Sequence, residues 1–289
     1  MSIFDFFKKR REKDPKKLLQ EVLDGFEIKS FPKTVMEVLK ALRDPEVSLV
    51  KVARLIELDM GMHIRVLKTV NSAAFGLTTK VSNIEHAVML LGKAKLECLI
   101  LPLAVKEALP DLRSTCLDME RFWLTAATRA SLARLIAQRL HPATQAEAYT
   151  AGMLQDIAIP VLMKLKEKEY CSALETWNGD KSTRLVTMEK ERFGFDHQGI
   201  GGLMAEQWNF PEYLVKAIAL HHQRQNGNGV EPAVTLVSTL RYSNDITEEN
   251  GIEVMVGLAQ KKYGIPRDEI LDLVDRAYQD AEELASMLR

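Results

Sequence analysis

The chain has 289 residues, of which 46% are hydrophobic and 27% are charged, a balance typical of a soluble globular protein. Its formal net charge of −1 gives no sign of a nucleic-acid partner. No apolar run approaches the ~20 residues that a membrane-spanning helix needs. Cys98, Cys116 and Cys171 are far apart, odd in number and without metal-like spacing. We therefore expect reduced thiols and a cytoplasmic protein.

The first residues combine aromatic side chains with a basic block. The stretch "MSIFDFFKKRREKDPKK" places four apolar residues before a run, 8–17, that holds seven Lys or Arg. A secretory signal has its charge first, so this is not one. Two interpretations remain open: residues 1–17 make a weak contact with a membrane surface or an acidic partner, or they form a solvated tail whose aromatic side chains dock on the body.

Nearly every segment after residue 15 has helical periodicity. In "KTVMEVLKALRD" the apolar residues recur at i, i+3, i+4 and i+7, and Ser48 is placed to cap the helix that follows. In "SNIEHAVMLLG", Ser82 and Glu85 have the spacing of a capping box. The segment "DHQGIGGLMAEQWN" begins with an N-cap candidate, Asp196. Because no segment alternates as a strand does, the sequence predicts an all-α fold.

The residues that could carry chemistry lie in the second half of the chain. This half holds four of the six histidines, and Asp156 lies in the apolar segment "AGMLQDIAIP". A carboxylate in such a segment needs a hydrogen bond, a cation or a metal as its partner. Carboxylate and imidazole together suit Fe, Mn or Zn, and the candidates are Asp156, His197, His221 and His222. A purely structural interpretation, in which these groups bond to one another or to backbone, stays open.

Six further segments carry a resemblance to a known family. They are "FPKTVMEVL", "IELDMGMHIRVLKTVNSAAFG", "SNIEHAVMLLG", "RFWLTAATRASLARLIA", "AYTAGMLQDIA" and "RFGFDHQGIGGLMAEQWNFPEYLVKAIALHH". In order and spacing they resemble an HDOD-domain protein, a branch of the HD-like metal-dependent phosphohydrolase superfamily, over roughly residues 26–225. The resemblance implies an all-α fold in which an HD-like multi-helix bundle is preceded by a smaller helical amino-terminal lobe.

The resemblance also implies a division of the chain. Residues 1–24 would form the basic and aromatic tail with a linker. Residues 25–225 would form the HDOD domain, with its amino-terminal lobe in 25–110 and its HD-like lobe in 111–225. The remaining residues, 226–289, would be helices packed on the HD-like lobe.

Proteins of the HD superfamily hold one or two divalent metals on a His, a His-Asp dyad and a distal Asp. In the matching positions of this chain, the first His falls on Thr125, the dyad His on Gln155, the dyad Asp on Asp156 and the distal Asp near Thr239. Three of these four positions have therefore lost their metal-binding residue type, because a hydroxyl or a neutral amide is a poor ligand for these ions.

The HD-GYP branch, which hydrolyses cyclic di-GMP, has additional histidines. His197, His221 and His222 match these positions, whereas the GYP signature is absent because "QRQNGNGVEP" follows the His pair. The resemblance thus leaves one carboxylate and three imidazoles. We expect Asp156 to accept a hydrogen bond from one of the histidines, with Gln155 bridging between them.

Together with the replaced ligands, the resemblance implies a bacterial signalling scaffold or adaptor that acts through contacts with other signalling proteins. Its degenerate, non-catalytic pocket would have no cofactor and would comprise Thr125, Gln155, Asp156, His197, His221 and His222. One alternative is a metal-dependent phosphohydrolase that holds Fe, Mn or Zn on a shifted ligand set, namely Asp156, His197, His221 and His222. A second alternative is a nucleotide-binding sensor without turnover. Whether the chain forms a homodimer also stays open.

Overall fold

The structure is a computed structural model and describes residues 15–23, 25, 27–71, 79–112, 114–179, 184–223, 229–240 and 249–287. The predicted contact through residues 1–17 therefore lies almost wholly outside the described residues.

Regular structure within these ranges is entirely helical, which confirms the all-α prediction. None of the described helices is long and apolar enough to cross a membrane. The helices are, in chain order, α1 Pro15–Val22, α2 Lys33–Arg43, α3 Leu49–Glu57, α4 Met60–Val70, α5 Ile84–Ala108, α6 Met119–Leu140, α7 Gln145–Leu154, α8 Ile159–Leu165, α9 Glu167–Gly179, α10 Leu185–Phe193, α11 His197–Gln207, α12 Glu212–Leu220, α13 Pro232–Val237, α14 Glu249–Tyr263 and α15 Arg267–Met287.

The smaller of two compact units is built from Ser30–Ala108 and contains α2 to α5. Ser48 caps α3 as predicted, because its hydroxyl accepts a hydrogen bond from the backbone N–H of Lys51. The predicted capping box at Ser82 is wrong by one residue. The side chain of Asn83 accepts from the N–H groups of the two residues that follow Ile84, so Asn83 is the residue that caps α5.

The larger unit contains α1 and the described helices from α6 onward, up to Ala285. Glycines let its central helices approach closely. A Cβ on Gly152 of α7 would lie 2.8 Å from the carbonyl oxygen of Arg129 in α6. A Cβ on Gly202 of α11 would lie 2.7 Å from Cβ of Ala219 in α12. These contacts join two helix pairs, α6 with α7 and α11 with α12, and residues of the candidate site lie on or next to each pair.

The prediction of three reduced thiols is wrong for two of them. Cys116 and Cys171 are joined by a disulfide, with their Cα atoms 5.4 Å apart, while Cys98 is a free thiol. The bond connects the segment before α6 to α9. Because the two residues are 55 positions apart in sequence, their proximity depends on tertiary packing that spacing does not reveal. The argument for a cytoplasmic protein from reduced thiols no longer applies.

Candidate functional site

The site is centred on Asp156, which lies on the turn between α7 and α8. This turn covers residues 155–158, and its Asp156 carbonyl accepts a hydrogen bond from the N–H of Ile159. The Asp156 side chain is only 4% exposed. The carboxylate thus enters the interior of the larger unit, where a charge is stable only with bonded partners.

The principal partner of Asp156 is Arg129, a residue that the sequence analysis missed. Its guanidinium donates one hydrogen bond to Asp156 Oδ2 and another to the carbonyl of Leu240. The Arg129 side chain is 2% exposed, although it lies in the middle of α6. The sequence did contain one indication of this position. Arg129 lies four residues after Thr125, so the two side chains are on the same face of α6.

His197 is the first residue of α11, and its position is fixed by the N-terminal cap of this helix and by a second carboxylate. Asp196 caps α11 as predicted, accepting from the N–H of Gly199 at 2.8 Å. The backbone N–H and Nδ1 of His197 both donate to Glu189 Oε2, at 3.0 and 2.6 Å. Its Nε2 then lies 3.3 Å from Asp156 Oδ1. Glu189, which the sequence analysis also missed, is completely buried and accepts a further hydrogen bond from the Tyr170 hydroxyl.

The His pair follows α12, and the structure brings both of its members to Asp156. His221 is completely buried, and its Nδ1 donates to the carbonyl of Ile218 at 2.8 Å. This bond leaves Nε2 directed at Asp156 Oδ1, 3.1 Å away, and at His197 Nε2, 3.3 Å away. His222 is partly buried, and its ring lies edge-on to that of His197 at a centroid distance of 5.2 Å.

Burial and neighbouring charges both shift the pKa values of these groups. Burial disfavours the Asp156 anion, but the Arg129 charge and the nearby His197 imidazolium hold the pKa of the carboxyl well below its ordinary value. Burial also disfavours a charged His197, yet Glu189 and Asp156 raise the pKa of His197 to about 10. For His221 and His222, burial lowers the pKa, and the charge on His197 lowers it further.

The charges of the site cancel among its own residues. The Arg129 and His197 cations face the Asp156 and Glu189 anions, and all four side chains are buried. Because the pKa values of His221 and His222 are lowered, these two rings are neutral at neutral pH. The network is therefore balanced without any added ion, as a buried charge cluster requires.

Thr125 and Gln155, where the resemblance predicts lost metal ligands, are both 1% exposed. Neither the Thr125 hydroxyl nor the Gln155 amide has a hydrogen-bond partner among the described residues. The prediction that Gln155 bridges Asp156 to a histidine is therefore wrong. Thr239 lies near the distal position, and its hydroxyl contacts two backbone carbonyls, of Leu236 and Gly251. With Arg129 on Asp156 Oδ2, this set does not fit the superfamily metal.

Three members of the shifted ligand set have the spacing of ligands around one divalent ion. Each member of the set, Asp156, His197, His221 and His222, offers one ligand atom, and these atoms lie within 4.8 Å of one another. Three of the atoms are only 3.1–3.3 Å apart. Ligand atoms bound at ~2.0–2.1 Å to one ion are separated by roughly 2.8–3.4 Å when they are neighbours in tetrahedral or octahedral geometry. The other ring nitrogens of His197 and His221 are fixed by a carboxylate and a carbonyl, as metal-binding imidazoles usually are.

The all-α fold and a buried Asp-His cluster define an HD-like helical protein. The sequence model of the HDOD domain matches residues 28–224, and the chain belongs to this family, as the sequence predicted. It is 25% identical over 230 residues to an uncharacterized protein of Treponema pallidum (strain Nichols). That match covers 79% of this chain but only 44% of the relative, so the chain spans less than half the length of the curated relative it matches.

Two crystal structures share the fold. One is of a protein from Shewanella amazonensis SB2B that has the provisional name phosphohydrolase. Its TM-score to this chain is 0.73 at 20% identity, and the match covers 94% of this chain and 98% of that chain. The other is of a protein from Marinobacter aquaeolei VT8 with the provisional name signal transduction protein. Its TM-score is 0.73 at 17% identity, with 93% and 61% covered. At these identities the likeness concerns the fold alone.

Proposed function

We propose that this protein is a signal-transduction scaffold or adaptor whose HD-type site does not hydrolyse phosphoesters. The observation that supports this function is the bond between the Arg129 guanidinium and Asp156. A guanidinium is always charged and cannot activate water, so it supplies the positive charge of a metal without the Lewis acidity.

The replaced ligands support the same function. Thr125 and Gln155 are neutral, and neither can substitute for the imidazole that the superfamily has at its position. Hydrolysis of a phosphoester in this superfamily depends on a metal-activated water, which needs several protein ligands and an open coordination position. Asp156 is the one residue of that original set retained in this chain.

A scaffold must offer surfaces for contacts with other proteins. In the smaller unit, the junction of α3 and α4 exposes three large apolar side chains: Leu58 is 72%, Met60 70% and Ile64 56% exposed. Because these three side chains lie within seven residues, we propose this junction as a contact surface for a partner protein. In the same proposal, the partners are signalling proteins, and the chain can form a homodimer. Residues 1–17 make a weak contact with a membrane surface or an acidic partner.

One observation favours a second candidate, a metal-dependent phosphohydrolase with the shifted ligand set. Asp156 Oδ1 and the two Nε2 atoms of His197 and His221 have the mutual distances of ligands around one ion. In that case a divalent metal would supply an activated water, and the bonds from His197 to Glu189 and from His221 to the Ile218 carbonyl would orient the imidazoles. Arg129 opposes this candidate because it adds a cation to the same carboxylate.

Metal analysis combined with activity assays separates the two candidates. The full chain is purified without chelator, its Fe, Mn and Zn are measured, and hydrolysis of cyclic dinucleotides and generic phosphoesters is assayed. A His221→Gln variant tests the cluster, and His63→Gln, on α4 and outside the cluster, is the control. Absence of turnover supports the scaffold. Turnover that depends on a stoichiometric metal, with both lost in His221→Gln alone, contradicts the scaffold and establishes the second candidate.

A further inference from the structure

The larger unit has a cavity between α9 and the end of α10 that does not include the Asp156 cluster. Its volume is 790 Å³, within the range of small-molecule binding sites. The residues that line it are Lys166, Lys168, Glu169, Ser172, Arg192, Phe193 and Phe195. We call this cavity the α9–α10 pocket.

The α9–α10 pocket is positively charged. It has three cationic side chains, Lys166, Lys168 and Arg192, against one acidic side chain, Glu169. The Arg192 guanidinium donates a hydrogen bond to Ser172 Oγ at 3.2 Å, which holds the guanidinium at the wall of the pocket. Lysine ammonium groups and an oriented guanidinium are the side chains that proteins use to bind phosphate groups.

The same pocket has an aromatic wall. The rings of Phe193 and Phe195 are stacked, with centroids 5.9 Å apart and an interplanar angle of 24°. Phe193 stacks in turn on the buried ring of Tyr170, again at 5.9 Å. Gly194 has φ +77°, and this left-handed turn after α10 allows both phenylalanines to reach the pocket. Phe195 is only half-buried, so a flat heteroaromatic ring can stack on its accessible part.

We propose that the α9–α10 pocket binds a nucleoside phosphate. The cationic side chains would bind its phosphate groups, and the phenylalanine stack would bind its base. A free phosphate would not stack on the aromatic wall, and an uncharged aromatic ligand would not pair with the cationic side chains. This proposal does not depend on whether the Asp156 cluster binds a metal or hydrolyses a substrate, since the two sites share no lining residue.

The pocket is connected to the Asp156 cluster by a short chain of buried contacts. Phe193 stacks on Tyr170, whose hydroxyl bonds to Glu189, and Glu189 holds His197. Glu189 and Phe193 also belong to the same helix, α10. A ligand that orders α10 would therefore act on the position of His197, which gives a signalling protein a route from an input ligand to its buried site.

Calorimetry on the full chain tests the proposal, with ADP, GDP, CDP and UDP as probes and with inorganic phosphate and adenosine as the separate halves of the ligand. We expect at least one diphosphate to bind once per chain, and each half to bind at least about tenfold more weakly. Arg192→Gln and the exposed Lys168→Gln should each weaken that binding, by about tenfold for Arg192→Gln. Lys261→Gln, an exposed position on α14 outside the pocket, should leave it unchanged.

Three results would overturn the proposal. No saturable binding of any of the four diphosphates would remove the ligand class, and inorganic phosphate binding as tightly as the diphosphates would remove the role of the aromatic wall. Binding that persists in both pocket variants but is lost in His222→Gln would place the ligand at the Asp156 cluster instead. Thermal unfolding of each variant establishes that the chain is folded, and Lys168→Gln, at an exposed position, keeps the test valid if Arg192→Gln is unstable.

Discussion

Arg129 and Asp156 form an ion pair in which both side chains are almost completely buried, at 2% and 4% exposure. The pair joins the middle of α6 to the turn after α7, and the second Arg129 bond, to the Leu240 carbonyl, adds the segment after α13. Leu240 directly follows Thr239, near which the resemblance predicts the distal metal ligand. A side-chain cation thus connects elements to which that prediction assigns metal ligands.

We predict that Arg129→Met destabilises the protein by about 3–5 kcal/mol, because it leaves the buried Asp156 carboxylate without its main counter-charge. Urea denaturation measures the change in the free energy of unfolding. Arg134→Met on the same helix is the matched control: Arg134 pairs with Asp280 at the surface, where an ion pair contributes only about 0–1 kcal/mol. Equal losses in the two variants would contradict a special role for Arg129.

A second prediction concerns restoration of the His-Asp dyad. Gln155→His alone should produce no phosphodiesterase activity, since Thr125 still lacks an imidazole and Arg129 still occupies Asp156 Oδ2. The new imidazole would meet a cation where the superfamily has a metal. Turnover of phosphoesters by purified Gln155→His, measured with added Fe, Mn or Zn, would refute this prediction, and unaltered protein assayed under the same conditions is the control.

The sequence predicted those features that depend on residues close together in the chain. The helix caps at Ser48 and Asp196 depend only on residues within one helical turn, and the structure has both caps at the predicted residues. The buried pair was missed because its partners are 27 residues apart and because a single Arg on a helix reads as part of its solvated face. Only the tertiary fold brings Arg129 to Asp156.

The same distinction applies to Glu189 and to the disulfide. Glu189 lies in "LVTMEKERF", beside Lys190 and Glu191, and nothing local distinguishes the one acid that is completely buried from its exposed neighbour. Helical periodicity gives the buried face only when that face is apolar, and here the face carries a carboxylate that serves His197. Cys116 and Cys171 are adjacent only because α9 returns to the segment before α6.

A third prediction tests the close approach of α11 and α12, the helices that bring His197 and His221 together. Gly202→Ala adds a Cβ that would lie 2.7 Å from Cβ of Ala219, so one helix must shift. We expect a loss of about 1–3 kcal/mol in the free energy of unfolding. Gly257→Ala on α14 is the matched control, since its Cβ meets nothing within 4 Å and should stabilise the helix by up to about 1 kcal/mol. A loss in Gly257→Ala as large as in Gly202→Ala would contradict the packing argument.

The last prediction uses the N-cap of α4 in the smaller unit. Asp59 Oδ1 accepts from the N–H of Met62 at 2.9 Å, and Oδ2 accepts from the Thr34 hydroxyl at 3.0 Å. The bond from Met62 is the largest effect on this carboxyl; together with Thr34 and the Arg65 charge it outweighs partial burial and lowers the pKa of Asp59 below 3.8. A lowered pKa in the folded state means that the carboxylate contributes stability above the pKa of the unfolded chain and loses it as the pH falls through the folded value.

Asp59→Asn keeps a capping oxygen but removes the charge. We therefore expect it to cost up to about 1 kcal/mol at neutral pH and progressively less as the pH falls through the lowered folded-state pKa of Asp59, where the wild-type carboxylate itself becomes protonated. Urea denaturation across this pH range measures the difference from the unaltered protein. Ser48→Ala is the comparison, because it removes the hydroxyl cap of α3, which does not titrate, and should cost about 1 kcal/mol at every pH. A cost of Asp59→Asn that stays constant with pH would show that the charge of Asp59 adds nothing to its cap.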